Sequence, residues 1–279
     1  MDAVAALTRL GGIASAADVL ALTSRKRLRR AVEARRVVHV SRGRYALPTA
    51  DEAREVALLV GGHLRLLSAA AHWGWETKWP ARYPQVYAVQ KPNRPVDGEL
   101  VCGVLPRADR DGWATSRLRT VLDCAGELPF DEALAVADSA LRHEDLIHED
   151  LLAALRPDTP ARVRRVLEHA SPLAANPFES VLRAILVEAG IDVVPQWATT
   201  LGGVTYHPDL AEPFRALAIE ANSWAFHAGR REHDTDCERY NALVVGGWTV
   251  LRFTWEQVMF APHLVVDTVR AAMALPVAA

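Results

Sequence analysis

Apolar residues recur at three- and four-residue intervals from Ala3 to Leu10 (Val4, Leu7, Leu10), which predicts a first helix ended by Gly11-Gly12. Ser15 is placed to cap a second helix over Ala16 to Leu22. Thr23 is placed to cap a third running to Ala34, with Leu28, Ala31 and Val32 inward and Arg25, Lys26, Arg29 and Arg30 mostly outward. The period then shortens. Arg36 to Val40 and Tyr45-Ala46-Leu47 read as two short strands around Ser41-Arg42-Gly43-Arg44, so residues 1–50 have the layout of a helix-turn-helix followed by a basic wing.

From 51 to 160 the pattern predicts helices over Glu52 to Val60 and around Leu67 to Trp73, strands over Gln85 to Val89 and Leu100 to Leu105, and helices over Phe130 to Leu141 and Glu149 to Leu155. Thr115-Ser116 followed by Arg117, Arg119 and Asp123 is a polar cluster at a helix start. Its arginines either bind phosphate or pair with Asp123. His143, Glu144, Asp145, His148, Glu149 and Asp150 have metal-ligand chemistry, but their spacing fixes no geometry, and a loop with a helix start is the expectation. A bridging helix over Ala161 to His169 precedes a boundary in the stretch from Ser171-Pro172 to Asn176-Pro177.

The last region, 171–279, opens with Asn176 as N-cap and Pro177 in the first helical position. Apolar residues from Phe178 to Ala189 follow at helical spacing, and Gly190 closes the helix. Val204-Thr205-Tyr206 has strand composition, and Ala211-Glu212-Pro213 is a turn because Pro213 cannot donate to a sheet ladder. Beyond it, alternation puts Leu217, Ile219 and Ala221 on one face and Glu220 with Asn222 on the other. Asp209 and Glu220 thus end two strands of one hairpin. Paired carboxylates of this kind suit a hard divalent cation, Mg²⁺ or Mn²⁺, which can polarise a phosphoryl oxygen and lower the pKa of a bound water.

Composition changes this picture in two places. The net charge of −2 excludes a uniformly basic nucleic-acid binder, yet residues 1–50 carry ten Lys and Arg against three Asp and Glu. DNA is the partner that this basic end predicts, through Arg25, Lys26, Arg29, Arg30, Arg42 and Arg44; an arginine-rich face that contacts only protein is the alternative. Three widely spaced cysteines, no Cys-X-X-Cys and no apolar run long enough to span a bilayer predict a soluble cytoplasmic chain with no membrane partner. No Gly-X-Gly-X-X-Gly, Walker loop or Gly-X-Ser-X-Gly is present, which argues against nucleotide-cofactor and serine-hydrolase chemistry.

Two resemblances follow from these residues. Residues 1–50, with the Thr-Ser-X-X-Arg-Thr-X-X-Asp-like run at 115–123, resemble the winged-helix and middle domains of AbiEi-type antitoxins of type IV toxin–antitoxin systems. That resemblance implies transcriptional autoregulation and a cognate toxin protein as partner, with a homodimer left open.

The last third is similar to the PD-(D/E)XK nucleases related to very-short-patch-repair endonucleases. The matching positions are Glu179, Pro195-Gln196, Asp209-Leu210, Glu220, His227 and Gly247-Trp248-Thr249-Val250-Leu251-Arg252-Phe253-Thr254. The implied site has Asp209, Glu220, His227 and Glu179 as catalytic residues and Asp209, Glu220 and Asn222 as metal ligands. Arg230 and Arg231 add to the DNA contacts. Asn222-Ser223 stands where the family has Asp-Gly, and no lysine occupies its usual position, so His227 is the candidate in its place. Glu179 has a second reading as the carboxylate of a capping box. The expected fold class is multi-domain α/β or α+β: a winged helix-turn-helix at 1–50, a mixed middle domain at 51–160 and a PD-(D/E)XK-like α/β sandwich at 171–279. The expected function is a Mg²⁺-dependent endonuclease-like DNA-binding protein, or a non-enzymatic regulator on a degenerate nuclease scaffold.

Overall fold

The structure is a computed structural model. It describes the chain apart from residues 11, 42–43, 49, 94, 223–229 and 276–279; the side chains of 13, 40–41, 44, 50–51 and 230–236 are also undescribed. The fold is mixed α/β with several sheets, and the chain divides into two compact units, Met1–His169 and Ala170–Ala279.

The first unit begins with α1 (Ala3–Arg9), β1 (Ile13–Ser15), α2 (Ala16–Leu22), α3 (Arg25–Glu33), β2 (Val38–Ser41) and β3 (Arg44–Ala46). Each helix start is capped locally: Asp2 accepts from the Ala5 amide at 2.7 Å, Ser15 from Asp18 at 3.2 Å and Ser24 from Arg27 at 3.3 Å. The cap of α3 is therefore Ser24 rather than Thr23, whose hydroxyl instead donates to the Met1 carbonyl. Leu7, Val19, Leu28, Ala31, Val37 and Leu47 close a small core under the three helices, with Val32 partly buried beside it. The two expected strands pair antiparallel. β1 joins them in the order β1-β3-β2, a third strand too short to leave an alternating signature.

The unit continues through α4 (Ala50–Val60), β4 (His63–Leu64), α5 (Leu66–His72), β5 (Gln85–Ala88), β6 (Glu99–Cys102), β7 (Arg110–Asp111) and β8 (Ala114–Thr115). It ends with α6 (Arg117–Glu127), α7 (Phe130–Arg142), α8 (His148–Ala153) and α9 (Ala161–His169). The five strands form one mixed sheet in the order β6-β5-β4-β8-β7. Gly62 lets α4 run into it, since a Cβ there would lie 2.1 Å from the Tyr87 carbonyl oxygen. Helices α6, α7 and α9 pack on one another, and α7 buries a continuous run from Ala133 to Leu141.

The second unit contains α10 (Pro177–Glu188), β9 (Val194–Pro195), β10 (Thr199–Leu201), β11 (Val204–Tyr206), β12 (Leu210–Glu212) and β13 (Leu217–Asn222). After these come α11 (Arg230–Val245), β14 (Thr249–Thr254), α12 (Trp255–Phe260) and α13 (Pro262–Met273). The sheet order is β14-β13-β12-β9, with β13 and β14 parallel and the other pairs antiparallel. Val204–Tyr206, expected to lead into the Asp209 strand, pairs instead with β10 in a separate two-stranded ribbon. The strand after the turn begins at Leu217 because Pro213–Arg215 forms a 3₁₀ turn and Ala216 is left-handed at φ 48°. Two helices, α12 and α13, follow β14. α10, α12 and α13 pack together and against β13 and β14. Ala211 and Ala218 form a core with Leu243 of α11 and Trp248, so helices cover the sheet on both faces.

Candidate functional site

The antiparallel register Leu210↔Ile219, carried one residue further, sets Asp209 opposite Glu220. Directly opposed residues of a strand pair share a face, so the two carboxylates lie side by side on the sheet face covered by α11. The parallel register on the other side sets Glu220 beside Arg252 and Asn222 beside Thr254. The hairpin of β12 and β13 thus sets Asp209 beside Glu220, with Asn222 two residues further along β13; the turn expected at Ala211-Glu212-Pro213 falls instead at Pro213–Arg215, and Ala211 and Glu212 belong to the paired strand.

The polar contacts of this cluster are specific. Asp209 Oδ2 accepts from the Ala221 amide at 2.8 Å, which ties the start of β12 to β13. Glu220 is 1% exposed and its Oε2 accepts from Arg239 Nη2 at 2.9 Å. Arg239 also donates to the Tyr240 hydroxyl at 3.0 Å. Burial works against the Arg239 charge, but Glu220, Tyr240 and Asp209 outweigh it and hold its pKa above the ordinary value. The Tyr240 phenol is pushed up by burial and by Glu220. Arg252 stacks over the Tyr240 ring at 4.2 Å and donates to Asn222 Oδ1 at 3.0 Å. Sequence reasoning gave no role to Tyr240 or Arg252. The alternation of β14 was the available signal, since it gives Arg252 the same parity as Val250, a residue packed on the α11 core.

The remaining expected site residues are placed separately. Glu179, 6% exposed, accepts from Asn176 Nδ2 and from the Ala175 amide, both at 2.8 Å, while Asn176 caps the Glu179 amide at 3.1 Å. Those contacts tie the carboxylate to the start of α10, but through the Ala175 amide and the Asn176 side chain rather than the Asn176 backbone N–H of the expected capping box. Gln196 sits at φ 52°, its amide donating to the Asp209 carbonyl at 3.2 Å, so it braces the backbone beside Asp209. His227 and Arg42 lie outside the described residues, as do the side chains of Arg44, Arg230 and Arg231.

On α3 the expected DNA-contacting residues divide between two surfaces. Arg25, Lys26 and Arg29 border a groove of about 750 Å³ that reaches His39 and Tyr45 of the strands. Arg30 lines a smaller cleft of about 180 Å³ with Arg27 and Arg36.

The arginines at the start of α6 are engaged internally. Arg119 donates to Asp123 at 2.7 Å, to Asp109 at 3.0 Å and to the Tyr87 hydroxyl at 3.1 Å. Arg117 donates to Asp145 at 2.6 Å and Asp111 at 2.9 Å and lies over the Trp73 ring. The run from His143 to Asp150 disperses as well: His143 contacts the Ser139 carbonyl, His148 that of Leu167, and Asp150 accepts from the Ile147 amide. Among the described residues no group of three or more His, Cys, Asp and Glu is arranged to hold a metal. Asp209 and Glu220, as a pair with the Asn222 carbonyl beyond them, still fit a hard cation by donor chemistry, the balance of its shell being water.

Two uncharacterized proteins of Mycobacterium tuberculosis, from strains CDC 1551 / Oshkosh and ATCC 25618 / H37Rv, are each 27% identical to this chain over 241 residues. The match spans 81% of this chain and 88% of each relative. No family model matches the chain. No solved structure matches it.

Proposed function

We propose that this chain is a cytoplasmic DNA-binding protein with a winged helix-turn-helix at its amino end and, after residue 170, a PD-(D/E)XK-like domain acting as a Mg²⁺- or Mn²⁺-dependent endonuclease. The observation that carries this reading is the facing pair Asp209, one residue before β12, and Glu220 of the antiparallel neighbour β13, on the sheet face beneath α11. The element order supports it: a capped helix, a three-stranded antiparallel core, a crossover helix and a parallel fourth strand. A divalent ion bound there would polarise a phosphodiester oxygen and activate water. Asp209 and Glu220 would hold it, with Asn222 as a neutral donor. Glu179 is left out of this set because its carboxylate is engaged in the α10 cap. Arg252, exposed beside Asn222, is suited to a DNA phosphate near the ion. The resemblance of the first half to antitoxins gives the setting, bacterial defence or a toxin–antitoxin pair with a cognate toxin protein.

The second reading is a transcriptional regulator on a nuclease scaffold that no longer cuts. The contacts favouring it are Arg239 on Glu220 and Arg252 on Asn222, which already supply positive charge where the ion would sit. Cleavage of supercoiled and linear DNA with Mg²⁺ or Mn²⁺ separates the two. The nuclease reading expects cutting that requires metal and disappears in Asp209→Ala and in Glu220→Ala; DNA binding with no cutting under any of these conditions supports the regulator.

A further inference from the structure

The groove between α3 and the strands β2 and β3 differs in chemistry from a surface built only to follow a phosphate backbone. Its floor is apolar, made by Leu20, Leu28 and Val32. One border carries Arg25, Lys26 and Arg29, all exposed, and none of the described lining residues is acidic. The opposite wall is a ring pair: His39 and Tyr45 face each other across the β2–β3 ladder, centroids 5.1 Å apart and planes tilted by 52°. Tyr45 is partly buried against the core, which holds its ring in place, whereas His39 is exposed.

An intact duplex offers such a groove only base edges and phosphates, because its base faces are stacked on one another. An unpaired nucleotide offers both parts that the groove can use: a flat apolar face for the rings and floor, and a phosphate for the cations. The groove, at about 750 Å³, is large enough for a nucleotide, and its border has the complementary charge.

Building on the DNA-binding reading, we infer that this groove seats one unpaired nucleotide of a DNA strand. Its base lies against Tyr45 and His39 and its phosphate among Arg25, Lys26 and Arg29. The chain accordingly prefers DNA with a single-stranded extension or a frayed end over a fully paired duplex.

The test compares binding of the full chain to a short blunt duplex and to the same duplex with a single-stranded extension, by fluorescence anisotropy at fixed salt. Wild type, Tyr45→Phe and Tyr45→Leu are compared, the last filling the same core contact without a ring. Thermal unfolding establishes that each variant is folded. Base stacking on an aromatic ring predicts roughly tenfold tighter binding of the extended duplex. That preference is kept in Tyr45→Phe and lost in Tyr45→Leu, while affinity for the blunt duplex is unchanged. Equal binding of the two duplexes by wild type, or a preference that survives in Tyr45→Leu, overturns the assignment. Displacement of the extended duplex by free deoxyadenosine monophosphate, without a preference between duplexes, would make the groove a free-nucleotide site and also overturn it. Failure to bind any DNA removes the DNA-binding reading and the inference together.

Discussion

Arg239 of α11 reaches the sheet and donates from Nη2 to Oε2 of Glu220 at 2.9 Å, so a helix cation is joined to a carboxylate that is 1% exposed. A buried carboxylate deprived of its cationic partner is costly, and Asp209 across the strand pair adds like charge. A divalent ion at the proposed site would therefore compete with this guanidinium for the same oxygen.

Replacing Arg239 by Met is expected to lower stability in EDTA by about 3 kcal/mol. Added Mn²⁺ should restore much of that loss in Arg239→Met and stabilise wild type less, because a ligand stabilises the folded state according to its affinity for it. Urea unfolding of the full chain with EDTA and with Mn²⁺ measures both. A variant as stable as wild type in EDTA would show that the ion pair contributes nothing to the fold.

The Glu179 carboxylate is bound to the α10 cap through both oxygens. Glu179→Ala is expected to destabilise the chain by about 1–2 kcal/mol, the range for losing a cap interaction, and to leave Mn²⁺ affinity unchanged. Equilibrium unfolding together with metal titration checks this, and a large drop in metal affinity at unchanged stability would return Glu179 to the metal site.

Asp145 links α6 to the segment after α5, accepting from Trp75 Nε1 at 2.8 Å and from Arg117 Nε at 2.6 Å. Burial pushes its pKa up, but the Trp75 indole and the Arg117 guanidinium outweigh burial and hold the carboxyl below its ordinary range. A carboxyl depressed on folding contributes stability that is present above its unfolded pKa of about 3.9 and is lost as pH falls through the lower, folded value. Asp145→Asn should therefore cost about 1 kcal/mol at neutral pH, a modest figure because the group is partly exposed, and the gap to wild type should close below pH 4. Denaturant midpoints across that range give the answer; a gap independent of pH would place the effect in packing.

What the sequence revealed about these sites was what is local in the chain. Asn176, Pro177 and Glu179 lie within four residues, so the start of α10 was readable from spacing alone. The parity of Glu220 and Asn222 on β13 followed from Leu217, Ile219 and Ala221. The proline turn between Asp209 and Glu220 announced a hairpin, and its second strand, β13, begins only at Leu217, after the left-handed Ala216. Longer-range relations left no such trace. Arg239 lies nineteen residues beyond Glu220, and only the packing of α11 on the sheet brings them together. Arg252 reaches Asn222 because β14 crosses over to pair parallel with β13, a register no local pattern encodes. β4 and β8, two residues each, exist because neighbouring strands complete their hydrogen bonds rather than because of their own composition. Thr23 and Ser24 are both competent caps, and the contact of the Thr23 hydroxyl with Met1 leaves the role to Ser24.

The most direct test of the proposed site is a calorimetric titration of Mn²⁺ into the full chain, with Asp209→Ala and Glu220→Ala alongside. One ion per wild-type chain is expected, with binding abolished or severely weakened in each variant while the variants remain folded and bind DNA. Binding that is unchanged in either variant, or no binding by a wild-type chain that still binds DNA, would contradict a metal centre on Asp209 and Glu220 and leave the regulator reading in its place.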